Sequence, residues 1–207
     1  MVPLEYLRDP DAIYAASFAT IEREASLSRY KEPERSVVAR IIHACGMPDI
    51  VEDVGIAPDF AARAVEALRG GCVVYCDAQM VAHGIMERLL PPDVATKCFV
   101  GNEITVRHAR SMRTTRSAAQ VDFWTEDHSI CVIGNAPTAL FRLLERIADG
   151  AFNPAAIIGV PVGFVGAAEA KLALHERGLP SLTILGRRGG SAMAAAALNA
   201  LAIAASR

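Results

Sequence analysis

Residues 129–134 read SICVIG, residues 155–160 read AAIIGV and residues 181–186 read SLTILG, and a helical pattern follows each, over 137–148, over 165–176 and from 191 onward. Short continuous apolar runs are what strands buried on both faces require. Three strand–helix units in succession predict parallel strands, and right-handed crossovers place the loops that follow them along one edge. The predicted fold class is therefore α/β: a single domain over 1–207 with a mainly parallel sheet flanked by helices. No Gly/Ser-rich or Pro-rich linker divides the chain.

Outward from this core, the N-terminal half is less regular. Asp9-Pro10 offers a cap and a first-turn proline for a helix whose apolar periodicity covers 13–25. A second helix begins near Pro33, carries Val37, Val38, Ile41 and Ile42 as its stripe, and ends before Gly46 and Pro48, so that His43 falls in its last turn. Then follow an extended run at 50–54, a helix at 58–68 closed by Gly70-Gly71, and the strand CVVYC at 72–76. A helix is expected at 77–89, with extended pieces at 96–100 and 104–107. The stretch 111–120 mixes a polar start with helical character.

Composition narrows the function classes. The 207 residues are 52% hydrophobic and 21% charged, ample apolar surface for a covered sheet. A net charge of −2 leaves no global basic field for nucleic acid. No apolar run reaches the length needed to span a bilayer, and MVPLEYLRDPDA lacks a signal-peptide pattern. A cytoplasmic protein is expected, with neither nucleic-acid nor membrane partner. The five cysteines contain no CxxC pair, so they read as small apolar residues rather than a disulfide or zinc framework.

In an open α/β sheet, ligands bind beyond the carboxyl ends of the strands, where helix N-termini present free N–H groups. Here those loops are GNAPTAL from Gly134, GVPVGFVG from Gly159 and GRRGGSAM from Gly186. Their glycines would let backbone amides approach an anionic ligand, with Asn135, Phe164, Arg187, Arg188 and Ser191 adding side chains. Neither GxGxxG nor GxxxxGK[ST] occurs, which argues against a nucleotide. Taken singly, each glycine need do no more than turn the chain.

Arg107, Arg110, Arg113 and Arg116 form a local positive cluster suited to carboxylates, with Arg116 best placed near a helix start. His43 shares a helical face with Ser36 and Arg40, at i, i+4 and i+7, apart from the Ile41/Ile42 stripe. A helix C-terminus favours the protonated imidazole, whereas Arg40 opposes it. No two histidines stand at i, i+4 with a carboxylate, so a histidine metal site is not expected.

As an ordered set, SFATI at Ser17, ARIIHACG around His43, DAQMVAHGI from Asp77, TTRSAA around Arg116, and the three loop motifs resemble the precorrin-8X methylmutase family over essentially the whole chain. The resemblance implies an isomerase of cobalamin biosynthesis that moves a methyl group from C-11 to C-12 of precorrin-8X to give hydrogenobyrinic acid. It is formally a 1,5-sigmatropic shift without cofactor. It further implies His43 as the acid, and Ser17, Arg40 and Arg116 as substrate-binding positions. Asn135, Gly163 and Phe164 join them at the loops; independently of the resemblance, Val162, Phe164 and Met80 are the apolar contacts a large flat ring calls for. A homodimer with active sites near the subunit interface is implied, as is hand-over of product to the next corrin-pathway enzyme.

Three rivals stand beside this reading. The first is the anaerobic counterpart acting on cobalt-precorrin-8. A corrinoid-binding carrier would use the same arginines and loops without turnover. The third, an NAD-dependent dehydrogenase, conflicts with the broken glycine fingerprint.

Overall fold

The computed structural model describes residues 4–207. Its centre is a six-stranded sheet in the order β1-β6-β5-β4-β2-β3, where β1 is Val54–Ile56, β2 Val73–Cys76, β3 Ala95–Lys97, β4 Ile130–Ile133, β5 Ala156–Gly159 and β6 Ser181–Ile184. All neighbours are parallel except β1, which pairs antiparallel with β6 at one edge. The mainly parallel sheet read from the three repeated units is thus the one observed.

Successive strand residues point to opposite faces, and here both faces are buried. Val74, Cys76, Ile130, Val132, Ala156, Ile158, Leu182 and Ile184 join one core. Tyr75, Cys131, Ile133 and Ile157 join the other. The first face is covered by α2 (Glu34–Cys45), α3 (Phe60–Arg69), α4 (Gln79–Gly84) and α9 (Ser191–Ala205), and α1 (Pro10–Glu24) adds Ile21 to that core. On the second lie α7 (Pro137–Ala148), through Ala139, Leu140, Leu143 and Leu144, and α8 (Ala167–Glu176), through Ala170 and Leu174. Each fully buried leucine contributes roughly 1.5–3 kcal/mol as an upper estimate.

Nine of the fifteen residues of α9 are alanine and eleven are buried, which lets α2, α3 and α4 pack closely along it. Alanine is also the strongest helix former. The helix α1 starts as expected: the Asp9 carboxylate accepts from the amides of Asp11 (2.9 Å) and Ala12 (3.1 Å), with Pro10 at the first position. The helix α2 ends at Gly46 with φ +68°, the left-handed conformation glycine adopts without steric cost.

Several local expectations are corrected. Residues 104–107 are not extended but lie in α5 (Glu103–Ser111). Its β-branched residues suggested a strand, yet Thr105 and Ala109, one helical turn apart, are buried while Arg107 and Arg110 face solvent. Residues 48–53 form a 3-10 helix, and only Val54–Ile56 pair as strand. Here Pro48 favours the helical turn, and Asp49 and Asp53 are held by Arg188. The third helix begins at Phe60 rather than at residue 58, because Asp59 is left-handed at φ +62°. The helix expected over 77–89 is interrupted: α4 covers only Gln79–Gly84, and a single 3-10 turn follows at Glu87–Leu89. The stretch 111–120 resolves into α6 (Arg116–Ala119), capped by the Thr115 hydroxyl accepting from the Ala118 amide at 3.1 Å.

Among the described residues, no helix is long and apolar enough to cross a membrane. The cysteines are all free; Cys76 and Cys131 are buried and the other three half-buried.

Candidate active site

Two groups of predicted residues gather at the carboxyl edge of the sheet, on either side of the start of α9. The first is built on α1 and α2. His43, in the last turn of α2, is exposed and stacks on Phe18 with ring centroids 5.2 Å apart and planes 23° apart. Tyr14 lies 6.2 Å from the same imidazole. Arg40, one turn before His43, donates to the Tyr14 hydroxyl at 2.6 Å, and its guanidinium carbon stands 5.7 Å from both the Tyr14 and Phe18 rings. The Ser17 hydroxyl donates to the Ile13 carbonyl at 2.9 Å.

His43 lines two cavities. One, of about 440 Å3, lies between α1 and α2 and includes Ser17, Thr20 and Glu24. The other, of about 260 Å3, includes Arg40, Met86 and the Ala192 and Ala195 positions of α9. Buried Asn199 shapes its wall: the side-chain amide donates to the Gly84 carbonyl (3.0 Å) and its oxygen accepts the Met86 amide (2.9 Å). Glycine is required at Gly84, since a Cβ there would lie 2.8 Å from Ala195 Cβ. The imidazole thus stands between an aromatic wall and a mostly apolar hollow, with a guanidinium at its side. That arrangement suits delivery of a proton to a flat, anionic ligand.

The second group lies on the loops after β4, β5 and β6. Thr115, beside Arg116, meets Thr138 in the first turn of α7 at 2.7 Å between hydroxyls, which places exposed Arg116 next to the GNAPTAL loop that carries exposed Asn135. The Gly163 amide donates to the Arg187 carbonyl at 3.2 Å, and the Arg187 guanidinium carbon stands 5.6 Å from the Phe164 ring, which is 87% exposed. Val162 and Met80 are exposed along the same edge. Neither cavity lined by His43 includes Arg116, Asn135, Gly163 or Phe164. The fold sets the two groups on one edge without joining them in one hollow.

The loop amides behave differently from the expectation that they would receive a ligand anion. Asp77, fully buried just after β2, accepts from the amides of Gly134 (3.0 Å), Asn135 (2.9 Å) and Ala136 (2.6 Å). The anion at the start of α7 is therefore the protein's own carboxylate. Burial pushes this carboxyl up, and the three amides pull it back down. Gln120, also buried, donates to the Asp77 carbonyl at 2.7 Å and accepts the Phe99 amide at 3.0 Å, tying the loops after β2, β3 and β4 together.

Arg188 likewise is not free for a ligand: it binds Asp49 (2.6 Å) and Asp53 (2.6 Å) in the segment behind His43. Buried Lys171 of α8 donates to the Arg188 carbonyl at 2.5 Å, and burial brings its amine down to about 8. Gly189 is needed because a Cβ there would run into the carbonyl oxygens of Val160 and Pro161. Gly189 thus serves loop-on-loop packing.

Sequence reasoning singled out neither Tyr14, Phe18, Asn199, Asp77 nor Lys171 as functional. Tyr14, Ser17 and Phe18 stand at i, i+3 and i+4, a helical face readable from sequence once α1 is placed. The buried polar residues carried no such signal, because their partners lie far along the chain.

A family model described as Precorrin-8X methylmutase matches residues 12–204. A precorrin-8X methylmutase of Sinorhizobium sp. is 48% identical, covering 98% of each chain. A cobalt-precorrin-8 methylmutase of Salmonella typhimurium is 38% identical over 96% of this chain and 97% of its own. The solved structure of a precorrin-8x methyl mutase from Thermus thermophilus superposes with a TM-score of 0.85 at 34% identity, covering 94% of this chain and 96% of that one. By family model, by full-length identity and by fold, the chain belongs to the precorrin-8X methylmutase family, isomerases of cobalamin biosynthesis.

Proposed function

We propose that the chain, acting as one domain over 1–207, moves a methyl group from C-11 to C-12 of precorrin-8X to give hydrogenobyrinic acid, with His43 as the acid. The observation that carries this reading is the exposed His43 imidazole between two cavities, stacked on Phe18 and flanked by Arg40. Protonated His43 gives its proton to a ring nitrogen, which draws electron density from the conjugated system and eases the 1,5-shift. The proton returns to His43 after migration, so the reaction is balanced without cofactor or external methyl donor. An acid is most effective when its pKa lies near the working pH, which suits imidazole.

Ser17 and Arg40 hold the macrocycle on the His43 side, and Arg116 contacts a peripheral carboxylate from the loop side, with Asn135, Gly163 and Phe164 along the edge. The metal-free substrate is preferred over cobalt-precorrin-8 because the Sinorhizobium relative, of the metal-free name, shares more identity than the Salmonella one. We place the enzyme in the cytoplasm as a homodimer that passes its product to the next corrin-pathway enzyme. The apolar, 87–88% exposed Phe164 and Val165 support a covered edge.

The test is spectroscopic. Purified protein is mixed with metal-free and with cobalt-containing substrate, and the absorbance change is followed for the parent and for His43→Ala. Conversion by the parent, faster on the metal-free compound, and binding with little turnover by the variant are expected. Near-normal rates in His43→Ala overturn its role as acid. Binding without spectral conversion by the parent would instead make the chain a carrier. Full activity from a measured monomer overturns the homodimer.

A further inference from the structure

A third cavity, of about 360 Å3, opens between α2, α3 and the C-terminal half of α9. It shares Arg40 with the smaller of the two His43 cavities, so the Ser36/Arg40/His43 face of α2 leads from one into the other. Arg69 and Arg207 line it as well. Among the described residues, neither Arg40 nor Arg69 has a carboxylate within 4.0 Å, whereas Arg29, Arg35, Arg142 and Arg188 each do. One acidic residue, Glu32, stands at the rim, and its carboxylate accepts the Ser36 hydroxyl at 2.6 Å. The lining therefore sets three guanidinium groups against two carboxylates, Glu32 and the terminal carboxylate of Arg207.

Two of the arginines are held in place before any ligand arrives. Arg69 spends its Nε and one Nη on the carbonyls of Ala205 (3.1 Å) and Ala204 (3.4 Å), groups at the end of α9 that lack partners further along the helix. Arg40 is held by Tyr14. Each keeps further N–H donors unspent. The surface between them is apolar, made by Val65, Ile203 and small alanines. Convergent guanidinium groups over an apolar floor fit a carboxylate on a short methylene arm.

We propose that this cavity seats one peripheral acid arm of the tetrapyrrole whose ring lies against His43, and that Arg69 is a substrate-binding residue. This rests on the reading of the chain as a methylmutase.

The test uses Arg69→Gln, Arg69→Lys and Ile203→Glu in the full chain. Ile203→Glu places a negative charge in the cavity without removing a hydrogen bond, so it remains informative if Arg69→Gln unfolds. KM and kcat for precorrin-8X, a titration with the product tetrapyrrole, and the unfolding midpoint are measured for each. Losing one charge-assisted contact predicts about a tenfold rise in KM and weaker product binding for Arg69→Gln and Ile203→Glu, with kcat nearly unchanged and part of the loss restored in Arg69→Lys. If the folded Ile203→Glu variant keeps KM and product binding within about twofold of a parent that does convert the substrate, the acid-arm assignment alone is overturned. A parent that neither binds nor converts the tetrapyrrole overturns both this assignment and the methylmutase reading.

Discussion

Replacing Asp77 should unseat the loop that starts α7, and the size of the effect follows from its three hydrogen bonds. The Asp77 carboxylate accepts the amides of Gly134, Asn135 and Ala136 at 3.0, 2.9 and 2.6 Å. In Asp77→Ala all three lose their acceptor. Gly134 is buried, so its amide bears the full cost of an unpaired donor, about 1–3 kcal/mol. Asn135 is exposed and Ala136 half-buried, so water replaces part of what they lose, and each costs about 0.5–1 kcal/mol. Relief of the buried charge offsets some of this, leaving a net loss of about 3 kcal/mol. Asp77→Asn keeps the shape and one acceptor oxygen but turns an amide group toward backbone N–H donors, for about 2 kcal/mol. Urea denaturation with the slope unchanged reads both values. Formate at ~0.1 M, small enough to enter the vacated site, should recover part of the loss in Asp77→Ala and none in the parent. A loss below about 1 kcal/mol in Asp77→Ala, or indifference to formate, refutes the reasoning that this carboxylate is the loop's resident anion.

Lys171 and Gly189 probe the neighbouring loops. The folded protein releases the Lys171 proton near pH 8, whereas the unfolded chain holds it to about 10.5, so this group by itself adds stability as pH rises above 8. Burial pushes all five thiols up, Cys72 to about 11, so each keeps its proton longer when folded and lowers stability as the pH approaches and passes 9. Between pH 8 and 9 the thiols oppose Lys171, so its effect is read from the difference between the parent and Lys171→Met. Across that window the unfolding free energy of the parent should gain up to about 1 kcal/mol relative to that of Lys171→Met; equal slopes in the two proteins count against the buried amine. Gly189→Ala, with φ +155° and a Cβ directed at the Val160 carbonyl, should cost about 2–4 kcal/mol and displace the GRRGG loop. An unfolding midpoint unchanged from the parent would show that the loop moves aside freely.

The repeated runs SICVIG, AAIIGV and SLTILG made the parallel sheet legible, because a strand buried on both faces needs apolar residues at every position and leaves little else it can be. The Asp9-Pro10 start of α1 and the Gly46 end of α2 were equally readable, since capping is a matter of adjacent residues. The Ser36/Arg40/His43 face followed from helical spacing, and the ordered motifs carried the family. Residues 104–107 were misread as strand because their β-branched side chains favour it locally, while burial of Thr105 and Ala109 against the rest of the fold decided for helix.

What only the tertiary structure decided is where the charges go. Asp77, Gln120, Lys171 and Arg188 are ordinary polar letters in the sequence, with partners 57, 43, 17 and 139 positions away. Whether a glycine-rich loop awaits a ligand's anion or is already filled by a carboxylate from the neighbouring strand depends on that distant residue, and no local pattern encodes it. Periodicity and capping act over a few residues and are written in the chain itself. The satisfaction of buried polar groups, and the meeting of Arg40, Arg69 and Arg207 around one cavity, depends on which segments the sheet order brings together.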